Sequence, residues 1–285
     1  MNSLTDYIGI QIGEAIVGCK AVSGGDISAT YKISTTTQDY FLKVNSGPNA
    51  ASMCAAEKVG LETLKGSGTI AVPSPILSGT FGKKSFLLME YVASRPPRAA
   101  DFRELGHQVA LLHQTSTSNF GFETDNFIGR LPQQNKPHPD WPSFYWSERL
   151  KPQCKWALEQ SLLTKSEIPQ QERALEVLQS ILGEVSPSLI HGDLWGGNFL
   201  IATDGTPYLI DPAVYYGHSL VDIAMSGLFG GFGPEFYESY HELIPKSNNY
   251  EAQIELYRLY YLLAHLNMFG LGYRSSVVSI LKRYF

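Results

Sequence analysis

Three aspartates and one asparagine are concentrated in residues 191–212, HGDLWGGNFLIATDGTPYLIDP, and three of these four residues could do chemistry together. Asp193 and Asn198 lie five positions apart in a turn, and Asp211 ends the next predicted strand, so a short hairpin would bring all three side chains to one edge. Phosphoryl transfer needs such a set, because one carboxylate accepts the proton of the attacking hydroxyl while an aspartate and an asparagine supply hard oxygen ligands for Mg2+. The alternative is a hairpin loop without chemistry, since Asn and Asp are common turn residues.

The N-terminal part contains groups that could hold phosphates. Gly24 and Gly25 form a turn between two predicted strands whose backbone N–H groups could approach phosphates, although a plain hairpin turn is the alternative and the order of a Walker loop is absent. Lys43 lies within a strand and Glu57 on the apolar stripe of the following helix, where an unpaired ion would be costly. We therefore expect Lys43 and Glu57 to pair. The alternative is a lysine that faces water and a glutamate at the edge of the helix.

A strand-rich part of the chain must position these groups. Three β-branched or aromatic runs indicate a meander, a helix follows Pro48 and Asn49, and a hairpin with an almost wholly apolar second strand comes next. The predicted strands are 15–23, 28–34, 40–44, 76–80 and 85–92. A Pro-rich connector then marks a boundary.

Helical patterns dominate the rest of the chain. The predicted helices are 101–115, 142–163, 167–184, 220–229, 234–243, 250–269 and 274–284, with short strands at 188–190 and 208–211. The loop at 119–142 is long enough to suggest a binding or lid function.

Composition excludes several classes of protein. The chain has 285 residues, of which 44% are hydrophobic and 17% charged, so it is a globular protein with one large core or two smaller ones. A net charge of -5 offers no general attraction for nucleic acid or an anionic membrane, and no apolar run is long enough to span a bilayer. Three cysteines without metal-ligand spacing suggest a reduced, cytoplasmic protein. We expect a monomer.

The order of these features resembles the aminoglycoside phosphotransferase branch of the protein-kinase-like fold, and the finer pattern resembles the fructosamine/ketosamine-3-kinase family. The matching blocks are SGGDISATYKI, LGHQVALLHQ, FGFETDNFIGRLPQQN, HGDLWGGN, IDPAVYYGHSLVDIAMSGLFGGF and YRLYYLLAHLNMFG. The resemblance implies a two-lobed α+β fold, with an antiparallel-sheet N-lobe that has one main helix and a mostly helical C-lobe. Residues 1–92 would form the nucleotide-binding lobe, and residues 93–285 would contain the catalytic loop and the acceptor site.

The same resemblance implies a role for each polar residue described above. Asp193 would be the catalytic base, and Asn198 and Asp211 would bind Mg2+. Lys43 would contact the α and β phosphates of ATP, and Glu57 would orient it.

Further residues acquire roles in the same way. Met89, Glu90 and Tyr91 would form the hinge, where backbone groups hydrogen-bond the adenine edge. Trp195 could pack against a sugar or an amine, or it could fill the core. Asp222 would brace the catalytic loop through its backbone.

The activity implied by the resemblance is ATP-dependent phosphorylation of the third-carbon hydroxyl of a ketosamine, such as a fructosamine, ribulosamine or erythrulosamine adduct of a small amine or a protein. Phosphorylation would destabilise the adduct and release the amine, which is a form of deglycation. One alternative is a phosphotransferase for another hydroxyl compound, such as an aminoglycoside or choline. A second is a pseudokinase that binds nucleotide without turnover.

Overall fold

A computed structural model describes residues 2–22 and 28–285. Gly24 and Gly25, the predicted phosphate-binding turn, lie outside the described residues. The chain divides into two compact units: Met1–Asp101 with Gly197–Pro212, and Phe102–Gly196 with Ala213–Phe285.

The first unit is built on a five-stranded antiparallel sheet in the order β1-β2-β3-β5-β4. Its strands are β1 (Ile16–Ala21), β2 (Ala29–Thr35), β3 (Asp39–Ser46), β4 (Pro75–Phe81) and β5 (Lys84–Glu90). The predicted meander and the predicted hairpin are both confirmed, because β1, β2 and β3 pair in sequence and β4 pairs with β5.

One face of this sheet is covered by a helix that is absent from the predicted elements, α1 (Asn2–Ile12). Its Leu4 and Ile8 join a buried cluster with residues of the sheet that include Leu42 and Phe86. Leu4 and Ile8 are four positions apart, the spacing of one helix face, so the signal was present in the sequence.

The helix α2 (Ala50–Gly66) also packs on the sheet. Leu42 and Val44 belong to the cluster that contains α1, and Lys43 between them points to the opposite face because strand side chains alternate. Gly60 permits a close approach to Pro212, since a Cβ at Gly60 would lie 3.0 Å from the Pro212 Cγ. A side chain at position 60 would therefore displace the segment that follows Asp211.

A second, three-stranded sheet explains why residues 197–212 belong to the first unit. It consists of β6 (Ser94–Arg95), β10 (Phe199–Ala202) and β11 (Pro207–Leu209), in the order β11-β10-β6. The first unit thus extends past residue 92 and includes a distant segment of the chain. The nucleotide-binding role of residues 1–92 stays a prediction.

The second unit is mostly helical, as the apolar periodicity predicts. Its helices are α3 (Ala99–His113), α4 (Trp141–Phe144), α5 (Lys151–Glu159), α6 (Gln171–Leu182), α7 (Leu220–Ser226), α8 (Pro234–Leu243), α9 (Tyr250–Phe269) and α10 (Arg274–Tyr284). Its strand pairs are β7 (Asn126–Ile128) with β8 (Leu131–Gln133), and β9 (Ser188–Ile190) with β12 (Tyr215–Gly217). The bounds predicted for α8, α9, α10 and β9 agree with the structure.

The prediction of one continuous helix over 142–163 is wrong. A π-helical segment, Tyr145–Leu150, separates α4 from α5, and α5 ends at Glu159. The apolar pattern crosses this segment without a break, so periodicity alone could not reveal it. Segments of π-helix are often found at functional sites.

No helix in the described ranges is long and apolar enough to cross a membrane. Cys54 and Cys154 are buried and Cys19 is exposed, and all three are free thiols.

A chain of hydrogen bonds in the second unit ends at the buried side of His218. The indole Nε1–H of Trp141 donates to the Tyr257 hydroxyl at 2.9 Å, and this hydroxyl lies 2.6 Å from His218 Nδ1. The indole can only donate, so the Tyr257 hydroxyl keeps its own hydrogen available for His218 Nδ1. Burial, with a smaller contribution from His113, lowers the pKa of His218 to about 3.

Ile8→Ala tests whether α1 is part of the core of the first unit. Ile8 is fully buried, and we expect a loss of about 2–5 kcal/mol in the free energy of unfolding. Ile10→Ala is the matched control, because Ile10 in the same helix is 77% exposed and its loss should change stability by about 0.5 kcal/mol or less. Chemical denaturation measures both. Equal losses in the two variants would contradict the packing of α1.

Acid should weaken the fold through His218. An unfolded His218 binds a proton below about pH 6.5, whereas the folded one does so only near pH 3, so stability should fall as pH decreases through this window. In His218→Asn the amide oxygen can still accept from Tyr257 but does not titrate. We expect this variant to lose about 3 kcal/mol less than wild type between pH 6.5 and 4, measured by urea unfolding. His107→Asn changes an exposed histidine, and its free energy of unfolding should depend on pH as that of wild type does. A wild-type pH dependence in His218→Asn would refute the argument.

Candidate active site

A buried lysine shared by two carboxylates forms the charged centre of the first unit. Lys43 Nζ lies 2.8 Å from Glu57 Oε1 and 2.8 Å from Asp211 Oδ1. The side chain of Lys43 is 6% exposed, that of Glu57 13% and that of Asp211 31%. The expected pairing of Lys43 with Glu57 is therefore present, and Asp211 is a second partner that the sequence did not indicate.

The two carboxylates of this centre stabilise the positive charge of Lys43. Burial opposes the charged form of Lys43, but the negative charges of Asp211 and Glu57 outweigh it and raise the pKa of the lysine above its usual range. Burial raises the pKa of Glu57 while Lys43 opposes this, and the nearby charge of Asp211 adds to the rise. Lys43 is thus a permanent cation at physiological pH.

Asp211 is positioned by the hairpin of β10 and β11. The Ile210 N–H donates to the Asn198 carbonyl oxygen at 3.0 Å, so the residue before Asp211 lies against Asn198, just before β10. Asp211 itself has φ 56°, in the left-handed region that few residues other than glycine and Asn or Asp adopt. Such strain is often found at functional sites, where the surrounding contacts maintain it.

In the second unit, Asp222 holds the loop that carries Asp193. Asp222 Oδ2 accepts the His191 N–H at 2.7 Å, and Oδ1 accepts the Gly192 N–H at 2.8 Å. The predicted bracing of this loop by Asp222 is confirmed. Asp193 is half-buried, and its N–H donates to His191 Nδ1 at 3.2 Å.

A third donor to Asp222 was not expected. His113 Nε2 lies 3.1 Å from Asp222 Oδ2, and His113 Nδ1 lies 2.9 Å from the Tyr240 hydroxyl. A carboxylate only accepts, so Nε2 carries a proton and donates to Asp222. Nothing in the sequence of α3 shows that the partner of His113 is Asp222, which lies 109 positions further along the chain.

Gly192 has no room for a side chain. It has φ +82°, and a Cβ at this position would lie 2.1 Å from the Ala213 carbonyl oxygen. Its own carbonyl oxygen accepts from the Tyr261 hydroxyl at 2.8 Å. The backbone before Asp193 is therefore fixed by Asp222 on its N–H and by Tyr261 on its C=O.

The long loop contributes amides to the segment that follows Asp211. Asn126 Nδ2 donates to the Val214 carbonyl oxygen at 2.7 Å, and Gln133 Nε2 donates to Asn126 Oδ1 at 2.7 Å and to the Ala213 carbonyl oxygen at 3.3 Å. The Tyr260 hydroxyl donates to Gln133 Oε1 at 2.5 Å. Residues 126–133 are thus a structured hairpin with a buried polar network, which the sequence predicted only as a long loop.

Arg149, in the π-helical segment, is fully buried. Its Nη1 donates to the Gln134 carbonyl oxygen at 2.6 Å and its Nη2 to Asn135 Oδ1 at 2.6 Å, while its guanidinium lies 3.9 Å from the centre of the Tyr215 ring. Arg149 therefore connects the end of the long loop to the π-helical segment between α4 and α5. Its role was missed because its partners, a backbone carbonyl and an amide 14 to 15 positions earlier, form no sequence motif with it.

The remaining candidate residues lie in varied surroundings. Trp195 is half-buried, which matches neither a pure core side chain nor a fully exposed one. In the predicted hinge, Met89 is buried, and the Glu90 N–H donates to the Ser74 carbonyl oxygen at 2.9 Å. An adenine contact would therefore use other backbone groups of the hinge, such as those of Tyr91.

The donor set suits a hard cation. Asp211 offers a carboxylate and Asn198 an amide oxygen, and Mg2+ usually takes one or two such protein ligands together with phosphate oxygens and water. Among the described residues there is no group of three or more His, Cys, Asp and Glu side chains that could bind a metal alone. The site fits a metal that arrives with a nucleotide, and it does not resemble a closed structural metal site.

Comparison with known proteins gives consistent matches. The family model described as "Fructosamine kinase" matches residues 2–285. A probable ketoamine kinase of Enterococcus faecium is 39% identical over 92% of this chain and 94% of its own length. The ketosamine-3-kinase of Mus musculus is 34% identical over 93% of this chain and 96% of its own length, and the chloroplastic protein-ribulosamine 3-kinase of Arabidopsis thaliana is 38% identical over 93% of this chain and 81% of its own length.

Solved structures agree with these matches. The crystal structure of a candidate fructosamine-3-kinase from Thermobifida fusca has a TM-score of 0.87 and 30% identity, and covers 99% of this chain and 98% of that chain. The aminoglycoside phosphotransferase APH(4)-Ia, in a ternary complex with AMP-PNP and hygromycin B, has a TM-score of 0.63 and 15% identity, covering 98% of both chains. The second likeness shows the fold alone, and it confirms the protein-kinase-like α+β fold.

Asp222→Asn tests the bracing of the loop that carries Asp193. The asparagine side chain has one accepting oxygen, whereas the donors in wild type bind two oxygens of Asp222. We therefore expect a loss of about 3 kcal/mol in the free energy of unfolding. The His191 and Gly192 amide protons should also exchange faster with solvent, measured by hydrogen exchange under native conditions. Asp6→Asn, the same change at an exposed residue, should leave both quantities unchanged. Slow exchange at both amides in Asp222→Asn would contradict the bracing role.

Proposed function

This chain belongs to the fructosamine kinase family, and from that premise we propose that it is an ATP-dependent kinase that phosphorylates the third-carbon hydroxyl of ketosamines. Relatives named ketosamine-3-kinase and protein-ribulosamine 3-kinase, 34% and 38% identical over 93% of the chain, support this activity. The acceptor would be a fructosamine, ribulosamine or erythrulosamine adduct.

The observation that carries the proposal is the buried cation Lys43 between Glu57 and Asp211. Kinases use a strand lysine held by a helix glutamate to contact nucleotide phosphates. Glu57 fixes the position of Nζ, and the raised pKa of Lys43 keeps the charge that phosphates require. Asp211, the second partner of Lys43, is a carboxylate of the type that binds Mg2+.

In the proposed reaction, Asp193 accepts the proton of the third-carbon hydroxyl as its oxygen bonds to the γ-phosphorus of ATP and the bond to the β-γ bridging oxygen breaks. Phosphoryl transfer depends mainly on positioning, so the rigidity of the loop is part of the mechanism. The bonds of Asp222 to His191 and Gly192 supply that rigidity. Because the loop is already held, little reorganisation accompanies the reaction.

The nucleotide would be held by several parts of the first unit. Lys43 binds the α and β phosphates, and backbone groups of 89–91 bind the adenine edge. Gly24 and Gly25 are proposed to approach the phosphates through their N–H groups. Asn198 and Asp211 would hold Mg2+, which neutralises phosphate charge when it is bound.

Deglycation follows from this reaction, because the phosphorylated sugar is expected to become unstable and leave the amine. Trp195 is proposed to contact the sugar or the amine of the acceptor. We further propose that the protein is a cytoplasmic monomer; its three free thiols support a reduced compartment.

Asp193→Asn tests the role of the base. Loss of the proton acceptor should lower kcat by about 10²–10⁴-fold, while the affinity for MgADP and the thermal midpoint stay close to those of wild type. A coupled ATP-consumption assay and fluorescence titration with a nucleotide analogue measure the two properties. Asp204→Asn, at an exposed turn residue of the same segment, is the matched control and should keep full activity. Turnover close to wild type in Asp193→Asn would overturn the assignment.

A panel of acceptors separates the proposed substrate class from the alternatives. Wild type should phosphorylate fructosyl and ribulosyl adducts of lysine, and should not phosphorylate kanamycin or choline. Phosphorylation of kanamycin without any ketosamine would favour an aminoglycoside phosphotransferase. Magnesium-dependent nucleotide binding without turnover on any acceptor would favour a pseudokinase.

A further inference from the structure

The second unit carries a partly exposed group of aromatic rings, which we call the aromatic cluster: Phe229, His265, Phe269 and Tyr273. The ring centroids of Phe229, Phe269 and Tyr273 lie 4.6, 5.4 and 5.1 Å from that of His265. Phe229 is 42% exposed and Phe269 56% exposed, and the adjacent Leu271 is 64% exposed. Apolar surface that is concentrated in one place often marks a binding site.

The aromatic cluster adjoins the loop that carries Asp193. Phe229 is followed by Gly230 and Gly231, which approach Gly196 directly. A Cβ at Gly196 would lie 2.9 Å from the Gly230 carbonyl oxygen, and a Cβ at Gly231 would lie 2.8 Å from the Gly196 Cα. This contact of backbone with backbone places Phe229 next to the loop that carries Asp193.

The long loop reaches the other side of the aromatic cluster. Arg130, between β7 and β8, donates from Nη2 to the Met268 carbonyl oxygen at 2.7 Å, and Met268 is adjacent to Phe269. The cluster therefore lies where the end of α9, the glycine-rich turn at 230–231 and the tip of the long loop come together. This placement agrees with the binding function expected of the long loop.

The chemistry of the aromatic cluster suits a cation that is attached to an alkyl chain. His265 Nδ1–H donates to the Tyr261 carbonyl oxygen at 2.8 Å, and burial lowers the pKa of His265, so the ring is neutral at physiological pH. The faces of the aromatic rings attract ammonium groups and pack against methylene groups. No positive charge on His265 opposes such a ligand.

A ketosamine has two parts, the sugar that is phosphorylated and the amine that is later released. Its nitrogen is a secondary amine, protonated near neutral pH, and carries the alkyl chain of the parent amine. We propose that the aromatic cluster binds this amine part, with a lysine side chain as the preferred kind. The inference rests on the proposed function and adds to it the group that distinguishes one ketosamine from another.

The test compares two acceptors that share the sugar and differ in the amine: the fructosyl adduct of Nα-acetyl-lysine and 1-amino-1-deoxyfructose, the corresponding adduct of ammonia. Wild type should have the lower KM for the lysine adduct. In the double variant Phe229→Ser/Phe269→Ser, the KM for the lysine adduct should rise. The ratio of the KM for 1-amino-1-deoxyfructose to the KM for the lysine adduct should therefore fall by about tenfold, with kcat for the lysine adduct little changed. Phe269→Tyr, which keeps the ring, should retain the wild-type preference.

Leu158→Ser is the matched control, because Leu158 is an apolar residue of α5 in the same unit, 39% exposed, and lies outside the aromatic cluster. It should keep both KM values. If the double variant fails to fold, as judged by its thermal midpoint, Phe269→Ser alone provides the same comparison at the more exposed ring.

The possible outcomes separate this inference from the proposed function. Absence of phosphorylation of both adducts by wild type would overturn the proposed function, and the inference with it. Phosphorylation of both adducts with no preference for the lysine adduct, or with a preference that survives loss of the rings, would overturn the inference alone.

Discussion

The burial of one positive charge organises the first unit. Lys43 lies on a central strand with little access to water, and such an ion is stable only if opposite charges are brought to it. Glu57 comes from α2, 14 positions after Lys43, and Asp211 lies 168 positions after Lys43. The close packing of Gly60 against Pro212 is part of this requirement, since it allows α2 and the segment after β11 to approach each other. The same cation is the group proposed to contact the nucleotide phosphates.

The second unit solves the opposite problem, a buried negative charge. Asp222 is fully buried and receives the N–H groups of His191 and Gly192 as well as His113 Nε2. Hydrogen bonds to a buried carboxylate are strong, and their geometry is restrictive. The loop before Asp193 therefore has one conformation, which is what a reaction that depends on positioning requires. In each unit, the cost of burying a charge is offset by contacts that also hold a proposed catalytic group in place.

Local sequence signals predicted the elements that are regular and largely apolar. The strands of the five-stranded sheet and the helices α8, α9 and α10 follow directly from periodicity, because their burial is uniform along one face or around the whole helix. Helix α1 was missed although its apolar spacing is visible in the sequence, whereas two other unpredicted elements depend on partners outside their own segment. The hairpin β7–β8 is held by amides that bond to residues 213–214, and the π-helical segment contains Arg149, which bonds to the long loop. Neither partner is visible in a local window of the sequence.

The sequence by itself determined the types of chemical group and the family resemblance: a candidate base at Asp193, candidate oxygen donors at Asn198 and Asp211, and a lysine with its glutamate. These follow from residue type and short spacing, which are properties of the chain alone. Only the tertiary structure decided that Asp211 shares Lys43 with Glu57, that His113 supports Asp222, and that exposed rings from two distant segments gather beside the loop of Asp193. The reason is physical: charge pairing, hydrogen bonding and ring packing act over a few ångströms of space, whatever the separation along the chain.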